Sequence, residues 1–390
     1  MKVLVLAPAY HPQTGGAETY ARVVASGLHE RGHDVVVATD GRPGLAGADT
    51  VDGVPVHRFS TYRELLADES KLPWEQLAFS LLPELSGVIE AHGVPDVVLA
   101  NSHEAAILAS VVGAEHPGTA VVATYHQQDR ERGPLGVGRS RLVYGLLPID
   151  GFLVGSRYYR QKALTFGASP QRVHHIPHGV DTTAFTGEPR RRTDSRLRLL
   201  LAGRIAPRKQ QAFMVDVLAG LLREGVDADL TLAGSVHSST KDYAASVERR
   251  IGELGLAERV HTVSDVRNDD MVRLYGRADV VVQPSTEEGL GLAVLEAMAC
   301  AVPVVVSDTV GLEEIVTSHD VGLRADVGDL TGWVAQLAAL AADEDRRLRL
   351  AANGRDHVRT GFDQRVMLDG TEKTLLGLLG LRGDARADET

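Results

Sequence analysis

DVVVQPSTEEGLGLAVLEAMACAVPVVVS, residues 279–307, carries the alternation that decides the fold. An apolar, β-branched run (Asp279–Gln283) is ended by Pro284. A polar, glycine-bearing loop (Ser285–Gly291) follows, then the helix-forming LAVLEAMA and a second apolar run, Pro303–Ser307. Short apolar runs joined by helical segments are the pattern of parallel strands with crossover helices. A strand-to-helix turn of this kind aims unpaired backbone N–H groups and the positive helix end at whatever lies above it, an environment that suits a diphosphate. Gly289 and Gly291 would let the backbone approach such a group closely.

The same alternation extends outward in both directions. Before the midpoint, strands are expected at Lys2–Ala7, Asp34–Thr39, Val54–Phe59, Asp96–Ala100, Ala120–Tyr125, Gly151–Val154 and Val173–Ile176. After it they are expected at Leu197–Ala202, Asp229–Ala233, Arg259–Val263, Asp279–Gln283 and Pro303–Ser307. Ala17–Arg31 has apolar positions at helical spacing, with Gly32 as a stop. A chain of 390 residues exceeds the usual limit of one core. The reading is therefore α/β with two doubly wound domains, residues 1–180 and 199–364, that would meet at a cleft. Residues 181–198 (TTAFTGEPRRRTDSR and its flanks) lack apolar periodicity and read as the linker. The Arg190–Arg192 run fits a solvated linker better than a phosphate patch. Residues 365–390 would be a last helix, around Arg365–Leu379, returning to the first domain, with the polar GDARADET as a frayed tail.

Composition narrows the partners. A net charge of −11 argues against nucleic acid and anionic membrane. Met1 leads directly into a strand-like run and no apolar stretch approaches a membrane span, so a cytoplasmic protein is expected. The single cysteine, Cys300, sits in an apolar segment and reads as core packing.

Glu288 and Glu296 bracket the turn. Eight residues on a helical path span about 12 Å, too far for one acid/base pair, whereas a retaining hydrolase holds its carboxylates at about 5 Å. Such a gap suits two hydroxyl-rich groups at the ends of a diphosphate; equally, it suits one capping and one surface glutamate. Acidic D-x-D pairs, as a metal-dependent transferase would use, occur at Asp227–Asp229 and Asp343–Asp345, where they read as turn and cap chemistry. No metal or other cofactor is expected.

The stretch PSTEEGLGLAVLEAMACAVPVVVSDTVGLEEIV resembles the nucleotide-sugar signature of the retaining glycosyltransferase family 4, with its E-x7-E spacing, its AMAC run and the later Glu314. That resemblance implies the GT-B fold, two Rossmann-like domains facing across a cleft. It also implies transfer of a sugar from a nucleotide-diphosphate donor, UDP- or GDP-linked, to an acceptor hydroxyl with retained configuration. In the family the first glutamate meets the donor sugar and the second the ribose, roles that would fall to Glu288 and Glu296. Backbone amides of Leu290, Gly291, Leu292 and Ala293 would hold sugar and phosphates. LLLAGRIAPRK (199–209) resembles the family's G-R-x-x-x-x-K segment, whose Arg and Lys neutralise the donor diphosphate; Gly203, Arg204 and Lys209 match it as donor-binding candidates, the two cations in an electrostatic role that would need no metal. Gln210 stands where the family usually has glycine.

In the first half, APAYHPQTGGAE (7–18) resembles the family's early P…GGAE loop, placing Gly15 and Gly16 opposite the diphosphate. VVATYH (121–126) matches its T-x-H segment, implying that His126 hydrogen-bonds the donor sugar. VHHIPHGVD (173–181) resembles the I-P-N-G-V-D segment with His178 in place of asparagine; His174 and His175 point to opposite strand faces and do not make a metal site. His11, His103, Gln127 and Arg130 are acceptor-side candidates, the last two in a basic, glycine-containing loop, Gln127–Arg141. A small polar or natural-product acceptor is preferred. Thr61–Glu84 is apolar but acidic, which argues against anionic lipid. A lipid or cell-surface-polymer transferase, a same-fold epimerase, phosphorylase or pseudo-glycosyltransferase, and a non-catalytic nucleotide-sugar sensor are the alternatives.

Overall fold

The computed structural model describes all residues except 14, 42–43, 60–79, 125, 127–135, 265, 267 and 388–390. The chain forms two compact units, Met1–His178 with Met367–Thr390, and Gly179–Val366. Gln127 and Arg130, and most of the acidic 61–84 segment, lie outside the described residues.

The first unit is built on eight described strands: β1 (Lys2–Ala7), β2 (Asp34–Asp40), β3 (Ala48–Val51), β4 (Val54–Phe59), β5 (Val97–Ala100), β6 (Ala120–Thr124), β7 (Gly151–Val154) and β8 (Val173–His175). They lie in the order β3-β4-β2-β1-β5-β6-β7-β8. Only β3 runs antiparallel, against β4. The helices α1 (Gly16–Glu30), α2 (Leu82–His92), α3 (His103–Glu115), α4 (Gly136–Arg141) and α5 (Arg157–Thr165) fill the connections. β5, β6 and β7 are buried throughout, which is why they read as unbroken apolar runs without alternation.

The second unit holds β9 (Leu197–Ala202), β10 (Ala228–Ala233), β11 (Val260–Val263), β12 (Val280–Gln283), β13 (Val304–Ser307) and β14 (Leu323–Ala325), all parallel, in the order β11-β10-β9-β12-β13-β14. Its helices are α6 (Gln211–Arg223), α7 (Lys241–Glu253), α8 (Asn268–Arg277), α9 (Leu292–Ala299), α10 (Val310–Glu313), α11 (Leu330–Ala342) and α12 (Glu344–Gly361). Trp333 of α11 is fully buried and stands edge-on to Phe213 of α6, ring centres 6.0 Å apart. Each fully buried side chain of this size contributes roughly 1.5–3 kcal/mol.

Helix α13 (Gln364–Ala387) begins in the second unit and from Met367 belongs to the first. Leu368 and Leu375 join the apolar core of β1 and α1. Leu368 is admitted by Gly27, where a Cβ would stand 2.5 Å from Leu368 Cδ1. Arg31 pairs with Glu372 at 2.7 Å and Asp369 at 2.6 Å.

Two expectations are corrected. β3 and β14 went unread because four and three residues are too few to establish a period. The polar tail is not frayed over its described part: α13 continues to Ala387, its helical ladder propagating past the last apolar residue. The Arg190–Arg192 run lies at the surface, as a solvated linker would, with Arg190 and Arg191 exposed; Arg190 pairs with Asp279 at 3.1 Å and Arg191 with Glu344, while Arg192 donates to the Ala341 carbonyl at 2.7 Å. Asp343 caps α12 by accepting from the Arg346 amide, and Asp227 and Asp229 pair with Arg196 and Arg259.

Gly203 and Gly234 close the ends of β9 and β10. Both have positive φ, and a Cβ on Gly234 would lie 2.1 Å from the Gly203 carbonyl oxygen. Gly234→Ala should therefore destabilise the protein by about 2–3 kcal/mol, an overpacking cost. At about 2–4 °C per kcal/mol for a unit of this size, the melting temperature falls by roughly 4–12 °C. Gly252 in α7 has open space around it, and Gly252→Ala should raise stability by about 0.5 kcal/mol. Thermal denaturation of the two variants checks both signs.

Candidate functional site

In the second unit the strand order reverses between β9 and β12, the place where open α/β sheets leave a crevice beyond their carboxyl ends. The loops that follow these two strands are the two stretches singled out in the sequence, Gly203–Lys209 and Pro284–Gly291. They are laced together: Thr286 N donates to the Arg208 carbonyl at 2.9 Å, and Arg208 Nη1 to the Glu287 carbonyl at 3.3 Å.

At the centre, the Lys209 ammonium donates to Glu288 Oε2, with both side chains buried. Ser285 Oγ and Gln283 Nε2 donate to the same oxygen at 3.2 and 3.3 Å, and Arg208 lies 3.8 Å from Oε1. Ser307 at the end of β13 anchors this loop through the Ser285 carbonyl. Burial pulls Lys209 below its usual range, opposed by Glu288. Burial alone would raise the Glu288 carboxyl, but Lys209 and Arg208 hold it below its usual range. Arg204 is exposed beside them.

Gln210 adopts φ 57°, ψ 38°, the left-handed region in which glycine is free of strain. Its side chain spans the turn to the Pro207 carbonyl at 2.9 Å, so the turn keeps its shape despite the substitution. Gly311, unremarked in the sequence, packs against the back of the Glu288 loop: a Cβ there would lie 2.2 Å from the Glu288 carbonyl oxygen. Gly289 and Leu290 are buried. Gly291 takes φ 86° at the N-cap of α9, which no side chain caps, so the first amides of α9, beginning at Leu292, have no side-chain partner from the cap.

Glu296 has a different environment. The Tyr275 hydroxyl, from α8, donates to Glu296 Oε2 at 2.7 Å. Burial raises this carboxyl to about 7, a rise that the tyrosine hydrogen bond moderates. The thiol of buried Cys300 is pushed up to about 12 by burial and by Glu296, which leaves it inert. A pocket of about 130 Å³ lies at the other, amino-terminal edge of this sheet, around Arg190, Asp279 and Pro303. Its Arg190 and Asp279 neutralise each other, and it contains none of the residues of the β9 and β12 loops.

The first unit gathers a second polar cluster. His126, after β6, places Nε2 2.7 Å from Asn101 Oδ1 and 3.1 Å from Thr124 Oγ1. The Tyr159 hydroxyl donates to the His126 carbonyl at 2.8 Å. The rings of Tyr20 and His178 pack on His126 at 4.4 and 4.7 Å, and on each other at 4.7 Å. Burial, then His178, keeps His126 well below its usual pKa; burial, then His175, lowers His178 to about 4. His178 seats over Gly155, where a Cβ would clash with its ring at 2.2 Å.

Gly15 is the N-cap of α1 and Gly16 its first residue. His11 accepts from Arg58 Nη2 through its carbonyl at 2.8 Å. His103 is turned inward, 6% exposed and edge-on to Tyr144, because it opens α3 on that helix's buried face. Asn101, Tyr20, Arg208, Gln283, Ser285 and Tyr275 escaped the sequence reading. Asn101 was findable as the residue just past the end of β5 beside the strand-order reversal, whereas Tyr275 arrives from a helix 21 residues before Glu296 and leaves no local signal.

The profile for glycosyl transferases group 1 matches residues 188–357, and that for glycosyltransferase family 4 matches residues 14–184. A D-inositol 3-phosphate glycosyltransferase of Xylanimonas cellulosilytica is 30% identical over 91% of each chain. A GDP-mannose-dependent alpha-(1-6)-phosphatidylinositol monomannoside mannosyltransferase of Mycolicibacterium smegmatis is 27% identical over 90% of this chain and 92% of its own. Among solved structures, sucrose-phosphate synthase of Thermosynechococcus elongatus superimposes with a TM-score of 0.80 at 20% identity, covering 98% of this chain and 100% of its own. With two Rossmann-like units of the GT-B class and a family-wide match along its length, the chain is a nucleotide-sugar glycosyltransferase and belongs to glycosyltransferase family 4.

Proposed function

We propose that this protein transfers a sugar, with retention and without a metal, from a UDP- or GDP-sugar to a hydroxyl of a small phosphorylated polyol. The observation that carries the donor half is the buried Lys209–Glu288 pair, strapped between the β9 and β12 loops beside the uncapped start of α9. Arg204, Arg208 and Lys209 give this place more positive charge than Glu288 neutralises. Departure of a nucleoside diphosphate builds negative charge on its phosphates, which preorganised cations and helix amides stabilise. Glu288, fixed by Lys209, Ser285 and Gln283, is assigned to the sugar. Glu296 is assigned to the ribose diol. His126 is assigned to a substrate hydroxyl.

Retention follows from the family resemblance: no side chain is assigned as nucleophile, and the leaving phosphate helps take the acceptor proton in a front-face displacement. The acceptor class comes from the relatives, whose names specify D-inositol 3-phosphate or a phosphatidylinositol mannoside. Because those names divide between a soluble polyol and a lipid, the lipid acceptor is the second reading.

Nucleotide release from a panel of UDP- and GDP-sugars, with inositol 3-phosphate or with phosphatidylinositol vesicles, tests both halves. Acceptor-dependent release with the soluble polyol is expected; release only with vesicles would transfer the reading to a lipid acceptor. The anomeric coupling of the product in proton NMR checks retention, and turnover should persist in EDTA.

The carboxylates should separate in kinetics. Glu288→Gln should lower kcat about 10²-fold with little change in nucleotide affinity, as expected for a group acting mainly in the transition state. Glu296→Ala should weaken nucleoside diphosphate binding about 10–100-fold, the value of hydrogen bonds to a charged group. Equal effects of both on binding and turnover would contradict this division.

The raised pKa of Glu296 adds a pH signature. Without ligand the carboxyl keeps its proton up to about pH 7, whereas ribose hydroxyls that donate to it require the carboxylate. Affinity should therefore rise with pH, by at most about tenfold per unit, and level off above 7. Calorimetry in buffers of different ionisation enthalpy should show proton release on binding near pH 7 that Glu296→Gln abolishes.

A further inference from the structure

The hydrogen bonds around Asn101 determine which ring nitrogen of His126 carries the hydrogen. Asn101 Nδ2 donates to the Ala17 carbonyl at 2.9 Å. A carbonyl oxygen only accepts, so the Asn101 atom facing it is the amide NH2, and Oδ1 is the atom 2.7 Å from His126 Nε2. Since Oδ1 also only accepts, Nε2 must hold the hydrogen, with Thr124 Oγ1 at 3.1 Å as a second neighbour. Asn101 itself is anchored, its amide donating to the Leu6 carbonyl at 2.8 Å.

The ring is neutral. Facing it are Tyr20 from α1, Thr124 on β6, Asn101 after β5 and His178 after β8. The one other readily titrated group among them, His178, is itself held unprotonated by burial. A neutral ring with its hydrogen on Nε2 has a lone pair on Nδ1, and that atom is buried with no hydrogen-bond partner among the described residues. A buried acceptor without a donor is uncommon in a folded protein and calls for one.

We infer that Asn101 is a positioning residue that fixes the tautomer of His126, so that His126 meets substrate as an acceptor at Nδ1 and takes the hydrogen of a sugar or polyol hydroxyl there. This rests on the assignment of His126 to a substrate hydroxyl. It adds a direction to that contact: a substrate whose hydroxyl is replaced by fluorine, which cannot donate, loses it.

Imidazole nitrogen and carbon NMR of histidine-labelled protein, with His126 signals assigned by difference from His126→Gln, reads the tautomer directly. In the unmodified protein the Nε2–H form should hold from pH 6 to 8. Asn101→Ala should introduce the Nδ1–H form and lower kcat for acceptor-dependent nucleotide release about tenfold, while KM for the donor changes little. Thr124→Val disturbs the same nitrogen but leaves Asn101 in place, so it should keep the Nε2–H form. Asn101→Asp, the second route if the alanine variant does not fold, should also keep Nε2–H. Its carboxylate favours the imidazolium and should move the acid limb of the rate profile up by about one pH unit. An Nδ1–H form in the unmodified protein, or an unchanged tautomer in Asn101→Ala, overturns the inference. A changed tautomer with unchanged turnover instead refutes the part of His126 in the reaction.

Discussion

The ion pair between Lys209 and Glu288 is the constraint on which the second unit's working end depends. Two charges taken out of water recover the cost only if they meet in good geometry and their remaining hydrogen-bonding capacity is filled. Ser285 and Gln283 supply that filling, and Ser307 holds Ser285 in place. The pair fastens the loop after β9 to the loop after β12. Two glycines serve this arrangement: Gly203 takes a positive φ where the loop leaves β9, and Gly311, in α10, leaves room behind Glu288. Loss of either partner would strand the other charge in the interior, at about 3–5 kcal/mol.

Glu288 and Glu296 illustrate how environment sorts identical side chains. Cations and hydroxyls surround Glu288 and keep it ionised; Glu296 faces a tyrosine hydroxyl and apolar packing, and its proton is retained near neutrality. A carboxylate already satisfied by lysine has its orientation set before substrate arrives. One that stays half-protonated can give up its proton when diol hydroxyls replace it.

Much of this was legible in the sequence because parallel strands buried on both faces write themselves as apolar runs, and because the loops after β9 and β12 concentrate glycine, proline and charge. Short elements were not legible: β3 and β14 offer too few residues for a period, and the helical continuation of α13 through a polar tail has no apolar stripe. Contacts made across sequence distance were equally hidden. Arg208 stood in the quoted motif beside Lys209, yet only the fold shows that it reaches the Glu287 carbonyl and the Glu288 carboxylate. The left-handed conformation of Gln210 was foreshadowed by glycine at that place in the family pattern. His103 misled because a histidine just past a strand end resembles a site residue until the following helix is seen to bury it.

One topological rule governs the polar groups of both units. Where strand order reverses, successive connections leave toward opposite faces and the strand ends between them stay uncovered. In the second sheet the reversal lies between β9 and β12, and the groups there are charged and paired. In the first it lies between β1 and β5, and the groups there are Asn101, after β5, and Ala17, in the first turn of α1 after β1. These lead to His126, a neutral ring buffered from charge by Tyr20 and His178. Cations and free helix amides suit a diphosphate; a neutral acceptor with a fixed tautomer suits a hydroxyl. The two ends are thus chemically distinct in the way that a transferase handling an anionic leaving group and a polyhydroxylated substrate requires.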